Sequence, residues 1–286
     1  MNLERLGQAI GEMKSLIEAA ITTATYAGAS YQDGQKAKEA LIRSQHLILP
    51  IHEVVKESIV AELRRLGRRH SVFPPLGRPA PELVVSGYLK SKKQDVVVLF
   101  DGDEPTEEVL DDGPLAGSYD SVGRHQSERG LVVGVRSQLS SVAKNFDTLM
   151  ERAFAETLNL RLRLPGLAMG EVYVLPVVEY DDNAMYRNRV AWKARPVPVH
   201  KFVRTFLAIS GRRVGEPDRD IYKYDRSALV LVDFRAVPPV IFETTEDLKT
   251  QGYLSTDFAG SFEEIAPRRF AEDLVEHHEG WHPPPV

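Results

Sequence analysis

The side chains that could do metal chemistry follow one another along the middle of the chain as Asp95, Gln138, Glu151 and Glu156. Carboxylate oxygens are the ligands that Mg²⁺ prefers, and a cation held by them can bind a phosphate and lower the pKa of an attacking water. A further polar group such as Gln138 could position that water. This order of residues therefore suggests the hydrolysis of a phosphodiester.

Each of these residues could instead have an ordinary structural role, as a solvated surface residue or as a partner in an ion pair. Asp95 follows Lys92 and Lys93 in a polar turn, where a solvated acid is common. Glu156 could pair with Arg152 at i,i+4 on a helix surface, which stabilises a helix by about 0.2–0.5 kcal/mol. The chemical interpretation therefore depends on the elements that would bring these residues together.

Hydrophobic periodicity places the candidate residues on two strands and a helix. Strands are predicted at 83–90, 95–100, 131–136, 171–181 and 227–234, and helices at 2–27, 35–66, 139–160, 199–209 and 268–277. Strands 83–90 and 95–100 flank a basic turn, which predicts a hairpin. We expect strand 95–100 to lie beside strand 131–136 in a mixed sheet, with helix 139–160 on one face.

A proline-rich connector at 71–82 divides the chain into two predicted regions. Residues 1–70 form a helical region suited to dimerisation or to clamping DNA, and Pro50 should kink or split its second helix. Residues 71–286 form the second region, with a long acidic loop at 101–129. The predicted fold class is α/β, with a mixed β-sheet, helices on both faces and an N-terminal helical region.

Two segments carry a resemblance to a known family: DVVVLFDG at 95–102 and VVGVRSQLSSVAKNFDTLMERAFAE at 132–156. Together they resemble the PD-(D/E)XK restriction endonucleases, some of which carry their second acid on the helix. The resemblance implies a restriction-endonuclease-like core with Mg²⁺ as the cofactor. It implies Asp95 and Glu151 as metal ligands, with Glu156 as the other helix acid that could bind metal. Gln138 stands at the lysine position, and Arg136 stands where a strand acid is expected.

The implied activity is sequence-specific cleavage of double-stranded DNA by a homodimer, because a two-fold dimer matches a palindromic site. Candidate DNA-binding residues are Lys92, Lys93, Arg136, Lys144, Arg64 and Arg68. The formal net charge of −5 does not oppose this partner, because the segment 101–112 alone contributes seven acidic groups.

Two other functions fit the same sequence. The missing strand acid and lysine favour a catalytically inactive DNA-binding or assembly subunit of a bacterial defence system. The net acidity favours a protein-interaction scaffold. A different metal centre could form at the ends of later strands, from Asp181, Asp182 and Lys193 or from Asp233. The C-terminal histidines His277, His278 and His282 are predicted to lie in a frayed surface tail.

Composition excludes several classes of site. The chain has no cysteine, which excludes disulfides, thiolate metal sites and cysteine nucleophiles. It lacks the glycine-rich phosphate-binding motifs, so no nucleotide cofactor is expected. No apolar run approaches the roughly 20 residues of a membrane-spanning helix, and we expect that the N-terminus is not a secretory signal. We therefore expect no membrane partner and a cytoplasmic location.

Overall fold

A six-stranded mixed sheet forms the centre of the fold in the computed structural model, which describes residues 1–100, 106–215 and 219–283. The strands of this sheet are β3 (His70–Phe73), β6 (Val96–Phe100), β9 (Leu131–Ser137), β10 (Ala168–Pro176), β11 (Arg226–Asp233) and β12 (Val240–Ile241). Their order is β12-β11-β10-β9-β6-β3. Strands β9, β10 and β11 are parallel to one another, whereas β3, β6 and β12 pair antiparallel with their neighbours.

Two-stranded hairpins lie outside this sheet. They pair β1 (Thr25–Tyr26) with β2 (Ala29–Ser30), β4 (Val84–Ser86) with β5 (Ser91–Lys93), and β7 (Glu108–Val109) with β8 (Tyr119–Asp120). The acidic segment predicted as a long loop therefore contains a short hairpin in its described part, and residues 101–105 of that segment lie outside the described residues.

Helices surround the sheet. They are α1 (Leu3–Thr23), α2 (Gly34–Arg43), α3 (Leu49–Arg65), α4 (Arg124–Glu128), α5 (Phe146–Arg161), α6 (Asp182–Met185), α7 (Val199–Ile209), α8 (Thr245–Thr250) and α9 (Phe270–Trp281). Among the described residues, no helix combines the length and the apolar character needed to cross a membrane.

Apolar side chains cover both faces of the sheet. On one face α1, α2, α3 and α9 pack against residues such as Val96, Val133 and Val172. On the other face α5 and α7 pack against Val97, Val132 and Tyr173. Every residue of β10 is buried, as expected for a parallel strand covered by helices on both sides. The prediction of an α/β fold with a mixed sheet and helices on both faces is confirmed.

The N-terminal region shares its core with the sheet. Leu6, Leu41 and Ile51 of the first three helices belong to one cluster with the sheet residues Val96 and Val172. The residues before the proline-rich connector therefore do not enclose a separate core. Pro50 lies in the first turn of α3, and helices α2 and α3 are separate, so the predicted split is confirmed.

The pairing of the two strands that carry the candidate site is also confirmed. Strand β6 pairs antiparallel with β9, and α5 packs on one face. The predicted hairpin between 83–90 and 95–100 is wrong, because β4 pairs with the polar β5 instead. The run Val96–Leu99 is buried, so it belongs inside the large sheet, and the polar Ser91–Lys93 is left for the outer hairpin. Helix α5 begins later than predicted because Ser141 has a left-handed φ of 52°, which no helix interior accommodates.

Candidate active site

Asp95 lies at the beginning of β6 and binds the backbone of the neighbouring strand. Its carboxylate Oδ2 accepts a hydrogen bond of 2.8 Å from the backbone N–H of Val135 in β9. The strands pair Val96 with Val133, and continuing this register by one residue places Asp95 opposite Gly134. On its other side, Gly134 pairs with Glu171 of β10. A glycine therefore separates two acids in the same row of the sheet.

Arg136 forms the centre of a cluster of ion pairs at the end of β9. Its Nη1 lies 2.7 Å from Oε1 of Glu171, and its Nη2 donates to Oε2 of Glu156 in α5. The other oxygen of Glu156 lies 2.5 Å from Nζ of Lys92 in β5. The cations of Arg136 and Lys92 lower the pKa of Glu156 against the opposing effect of its burial.

Glu171 is the most deeply buried acid of this cluster. It is 2% exposed, and burial raises its pKa to about 7 although Arg136 acts in the opposite direction. The negative charges of Glu156 and Asp95 raise this pKa further. Its second oxygen, Oε2, has no hydrogen-bond partner among the described residues. A buried carboxylate oxygen without a partner is costly in a folded protein, so its presence calls for an explanation such as a catalytic role, a water or an ion.

A cleft of about 360 Å³ opens above this cluster, between β5 and α5. Its charged lining residues are Lys90, Lys92, Arg136, Arg152 and Glu156. Cations therefore predominate among the described residues that line the cleft, and a cleft of this kind attracts anions.

The polar side chains Gln94 and Asn159 complete the lining of the cleft. Gln94 is 3% exposed, and its amide nitrogen has no hydrogen-bond partner among the described residues. Asn159 accepts hydrogen bonds from the backbone of Leu89 and Lys90, at 2.8 and 3.0 Å. Helix α5 thereby fixes the turn of the β4–β5 hairpin and holds its lysines over the cleft.

Asp95 lines a different cavity, of about 280 Å³, between α3 and the start of β6. The same cavity is lined by His52, Glu53 and Lys56 of α3. Burial lowers the pKa of His52 despite the attraction of Asp95, and His52 Nε2 has no hydrogen-bond partner within the described part of the chain. Gln94 and Asp95 therefore face different cavities, as successive residues of an extended chain normally do.

The structure does not bring Asp95 or the other predicted catalytic residues into the cleft, because Asp95 lines the cavity beneath α3. Glu151 is exposed on α5, whereas Glu156, five residues later, faces the cleft. Gln138 lies beyond the end of β9, where its side chain donates to the carbonyl oxygen of Ser140. Arg136, which was placed at the strand-acid position, is the residue of β9 that lies among the acids.

Among the predicted DNA-binding residues, Lys92 and Arg136 line the cleft. Lys93, Lys144 and Arg64 are exposed elsewhere on the surface. Arg68 lies 3.2 Å from Glu279 and packs over the ring of Phe100. The cleft also contains Lys90 and Arg152, so its cations come from the β4–β5 hairpin, β9 and α5.

The alternative metal centres have structural roles in this fold. Asp181 caps α6, and Lys193 pairs with Asp182 at 3.2 Å. Asp233 pairs with Arg235 at 2.7 Å. The expectation of a frayed histidine tail is wrong for His277 and His278, because both belong to α9; His278 is buried and stacks on Phe100.

Glu171 was missed from the sequence, although a signal for it exists. It is the charged residue in the apolar run that β10 forms, and a buried acid in such a run calls for a partner or a function. Gly134 is a second signal of this kind, because glycine inside a strand often marks a place where other groups approach the backbone closely. The two signals coincide in space only because β9 and β10 are neighbours.

The acids can be tested for their fit to a divalent cation. No group of three or more metal-ligating side chains suited to a metal ion occurs among the described residues. Mg²⁺, however, commonly uses one or two carboxylates and takes its other ligands from water and substrate phosphates. Glu156 is the carboxylate among the described residues that line the cleft, so it could provide such a ligand there. Glu171 lines a separate cavity of about 20 Å³, and Asp95 lines the cavity beneath α3.

Comparisons of the chain with protein-family models, with curated proteins and with solved structures each found no match.

Proposed function

We propose that this chain is a Mg²⁺-dependent endonuclease that cleaves double-stranded DNA. The observation that carries the proposal is the cleft, in which cations from several elements surround Glu156, and Arg136 links this acid to the buried Glu171. Phosphodiester backbones are bound chiefly by lysine and arginine side chains, together with polar groups such as the unpartnered amide of Gln94. Carboxylates buried beneath a phosphate-binding site destabilise the fold unless a cation neutralises their charge. A bound metal cation would account for their presence there.

The residues at the cleft have different roles in this proposal. Lys90, Lys92 and Arg152 bind and orient phosphates of the backbone. Glu156 would hold the cation, which would supply an attacking water of lowered pKa and polarise the phosphate. Arg136 offers a permanent positive charge to the phosphoryl oxygens as negative charge develops on them. In this assignment Gln138 does not position the attacking water, and Glu156 replaces Glu151 as the metal ligand.

A second candidate function is DNA binding without cleavage. The observation that favours it is that Arg136 already pairs with both Glu156 and Glu171, so the protein's own cation neutralises the acids. Such a protein would bind DNA through the same cleft. A role as a DNA-binding or assembly subunit in a defence system would follow.

Supercoiled plasmid DNA distinguishes the two candidates. Wild-type protein with Mg²⁺ or Mn²⁺ should linearise or nick the plasmid, and a chelator should stop the reaction. Glu156→Gln should abolish cleavage and retain DNA binding, because it removes one negative charge and preserves size. Glu151→Gln is the matched control, since it makes the same change on the same helix at an exposed position.

The results have distinct meanings. DNA binding without cleavage by the wild type, at any concentration of either metal, would replace the endonuclease by the non-cleaving protein. Loss of cleavage in Glu151→Gln, with activity retained in Glu156→Gln, would show that the exposed acid is the ligand. Absence of DNA binding even at low salt would leave the protein-interaction scaffold.

The endonuclease proposal includes a homodimer in the cytoplasm. Cleavage of both strands at a palindrome needs two active sites related by a two-fold axis. Light scattering of the DNA complex should give the mass of two chains of 32.0 kDa plus the duplex.

A further inference from the structure

We infer that the basic arm, the hairpin of residues 177–197 that follows β10, binds the phosphate backbone of the DNA held in the cleft. This inference rests on the proposed function, because it identifies a second contact with the same DNA. It assigns to Arg187, Arg189 and Arg195 the binding of phosphates that lie outside the cleft.

The first argument is the charge of the basic arm. The chain as a whole has a net charge of −5, yet residues 183–215 contain eight lysines and arginines and no acid. Arg187, Arg189 and Arg195 are exposed and form no ion pair with the described residues. A run of positive charge without compensating acids attracts a polyanion.

The second argument is the type of these side chains. The unpaired cations of the basic arm are arginines, whose planar guanidinium groups donate two parallel hydrogen bonds to the oxygens of one phosphate. Tyr186 stands beside them and is 53% exposed. Tyrosine hydroxyl groups are also common donors to the phosphates of DNA. The exposed groups of the arm therefore suit a nucleic-acid backbone.

The third argument is the order of the basic arm. Tyr180 and Trp192 pair across the hairpin, with their ring centroids 4.1 Å apart. Near the tip Met185 is buried, and the side chain of Asn188 accepts a hydrogen bond of 2.8 Å from the backbone N–H of Gly34. Because the backbone that carries the arginines is already fixed, binding DNA orders only their side chains.

The fourth argument is the position of the basic arm relative to the cleft. Tyr173 pairs with Arg136, and the hairpin begins four residues later at Val177. At about 3.3 Å for each strand residue, the base of the arm lies roughly 13 Å beyond Arg136 along the sheet. One turn of a DNA duplex is about 34 Å long, so a duplex in the cleft is long enough to reach the arm. This position favours DNA over an acidic protein as the partner.

Fluorescence anisotropy with a short DNA duplex of mixed sequence, in the presence of a chelator, tests the inference without relying on cleavage. For each arginine removed, Arg187→Gln with Arg189→Gln should weaken binding roughly 8-fold at about 0.1 M salt and lower the slope of log Kd against log salt by about 0.9. The control Arg124→Gln with Arg269→Gln removes two other exposed charges, from α4 and the start of α9, and should bind as the wild type does. Circular dichroism should show the same secondary structure in all variants.

A single introduced cysteine locates the DNA directly, because the chain has none of its own. Asn183→Cys places a thiol on α6, at an exposed position of the basic arm, and leaves the arginines unchanged. After labelling with azidophenacyl bromide and illumination, this variant should crosslink to the duplex. Arg124→Cys, labelled in the same way, is the control and should crosslink far less.

Each outcome decides the inference separately from the proposed function. Wild-type affinity and salt slope in Arg187→Gln with Arg189→Gln overturn the inference, and plasmid cleavage by this variant shows that the endonuclease proposal stands without it. An equal loss of binding in the Arg124 and Arg269 control also overturns the inference, and so does equal crosslinking by the two labelled variants.

The remaining outcomes concern the wild type. DNA binding that depends on the basic arm, in a protein that cuts no plasmid, supports the inference and overturns the endonuclease. Absence of DNA binding by the wild type even at low salt overturns both, and an acidic protein is then the partner that the charge of the arm fits.

Discussion

Replacing Arg136 by methionine should destabilise the protein strongly, because it leaves a buried acid without its cation. The side chains of Arg136, Glu156 and Glu171 are 17%, 10% and 3% exposed. Removing one partner of a buried ion pair costs about 3–5 kcal/mol, a large part of the roughly 5–15 kcal/mol that stabilises a typical domain. Lys92 still pairs with Glu156 in this variant, so most of the cost falls on Glu171.

This cost should depend on pH in a defined direction. Burial raises the folded-state pKa of Glu171 from 4.5 to about 7, and losing Arg136 raises it further. A carboxyl group with a raised folded pKa is protonated in the folded state at low pH, where it costs little. Its destabilising effect grows as the pH rises from the unfolded pKa through the folded pKa. The loss caused by Arg136→Met should therefore be smaller at about pH 5 than at about pH 8.

Urea denaturation followed by circular dichroism measures both effects. The double variant Arg136→Met with Glu171→Gln should recover at least half of the free energy of unfolding lost at pH 8, because no buried charge remains at position 171. An Arg136→Met variant as stable as the wild type at pH 8 would refute the reasoning. So would a double variant no more stable than Arg136→Met.

Three further predictions concern stability and DNA binding. Burial lowers the folded-state pKa of His278 from 6.5 to about 4, so the protein should lose stability as the pH falls from 6.5 toward 4. At pH 5 the free energy of unfolding of the wild type should be lower by about 2 kcal/mol. His278→Gln should lose less free energy of unfolding over the same pH range, measured by urea denaturation. Gly170→Ala should lower the melting temperature, costing about 1–3 kcal/mol, because its Cβ would lie 2.7 Å from Leu274. The control Gly7→Ala, in a helix with open space, should raise it. Lys92→Gln should reduce the slope of log Kd against log salt by about one in fluorescence anisotropy with duplex DNA, and an unchanged slope would remove Lys92 from the DNA contacts.

Local patterns in the sequence determined most of the secondary structure. Apolar spacing predicted α7 with the bounds Val199–Ile209, and β-branched runs predicted the buried strands β6, β9 and β11. These patterns are readable because periodicity and turn residues act over a few neighbours in the chain. Pro50 likewise predicted the separation of α2 and α3, since proline lacks the N–H that a helix interior needs.

The sequence also contained enough to choose between the two acids of α5. Glu151 and Glu156 are five residues apart, which is about 140° around a helix. Glu156 lies three residues after Ala153 and four before Leu160, both of which are buried, so it belongs to the apolar face. Glu151 lies away from that face. The resemblance to a family points to Glu151, whereas the helix geometry points to Glu156.

Only the tertiary structure decided the composition of the candidate site. Glu171 meets Arg136 and the space over Gly134 because β9 and β10 are parallel neighbours in one register. No local pattern in a single sequence specifies which strands pair, or in which register, since that depends on packing over the whole sheet. The bend at Asp95 directs its side chain toward α3 although strand alternation would direct it toward α5. The sequence thus determined the elements and the residue types, and the pairing of strands decided which acids and cations share a site.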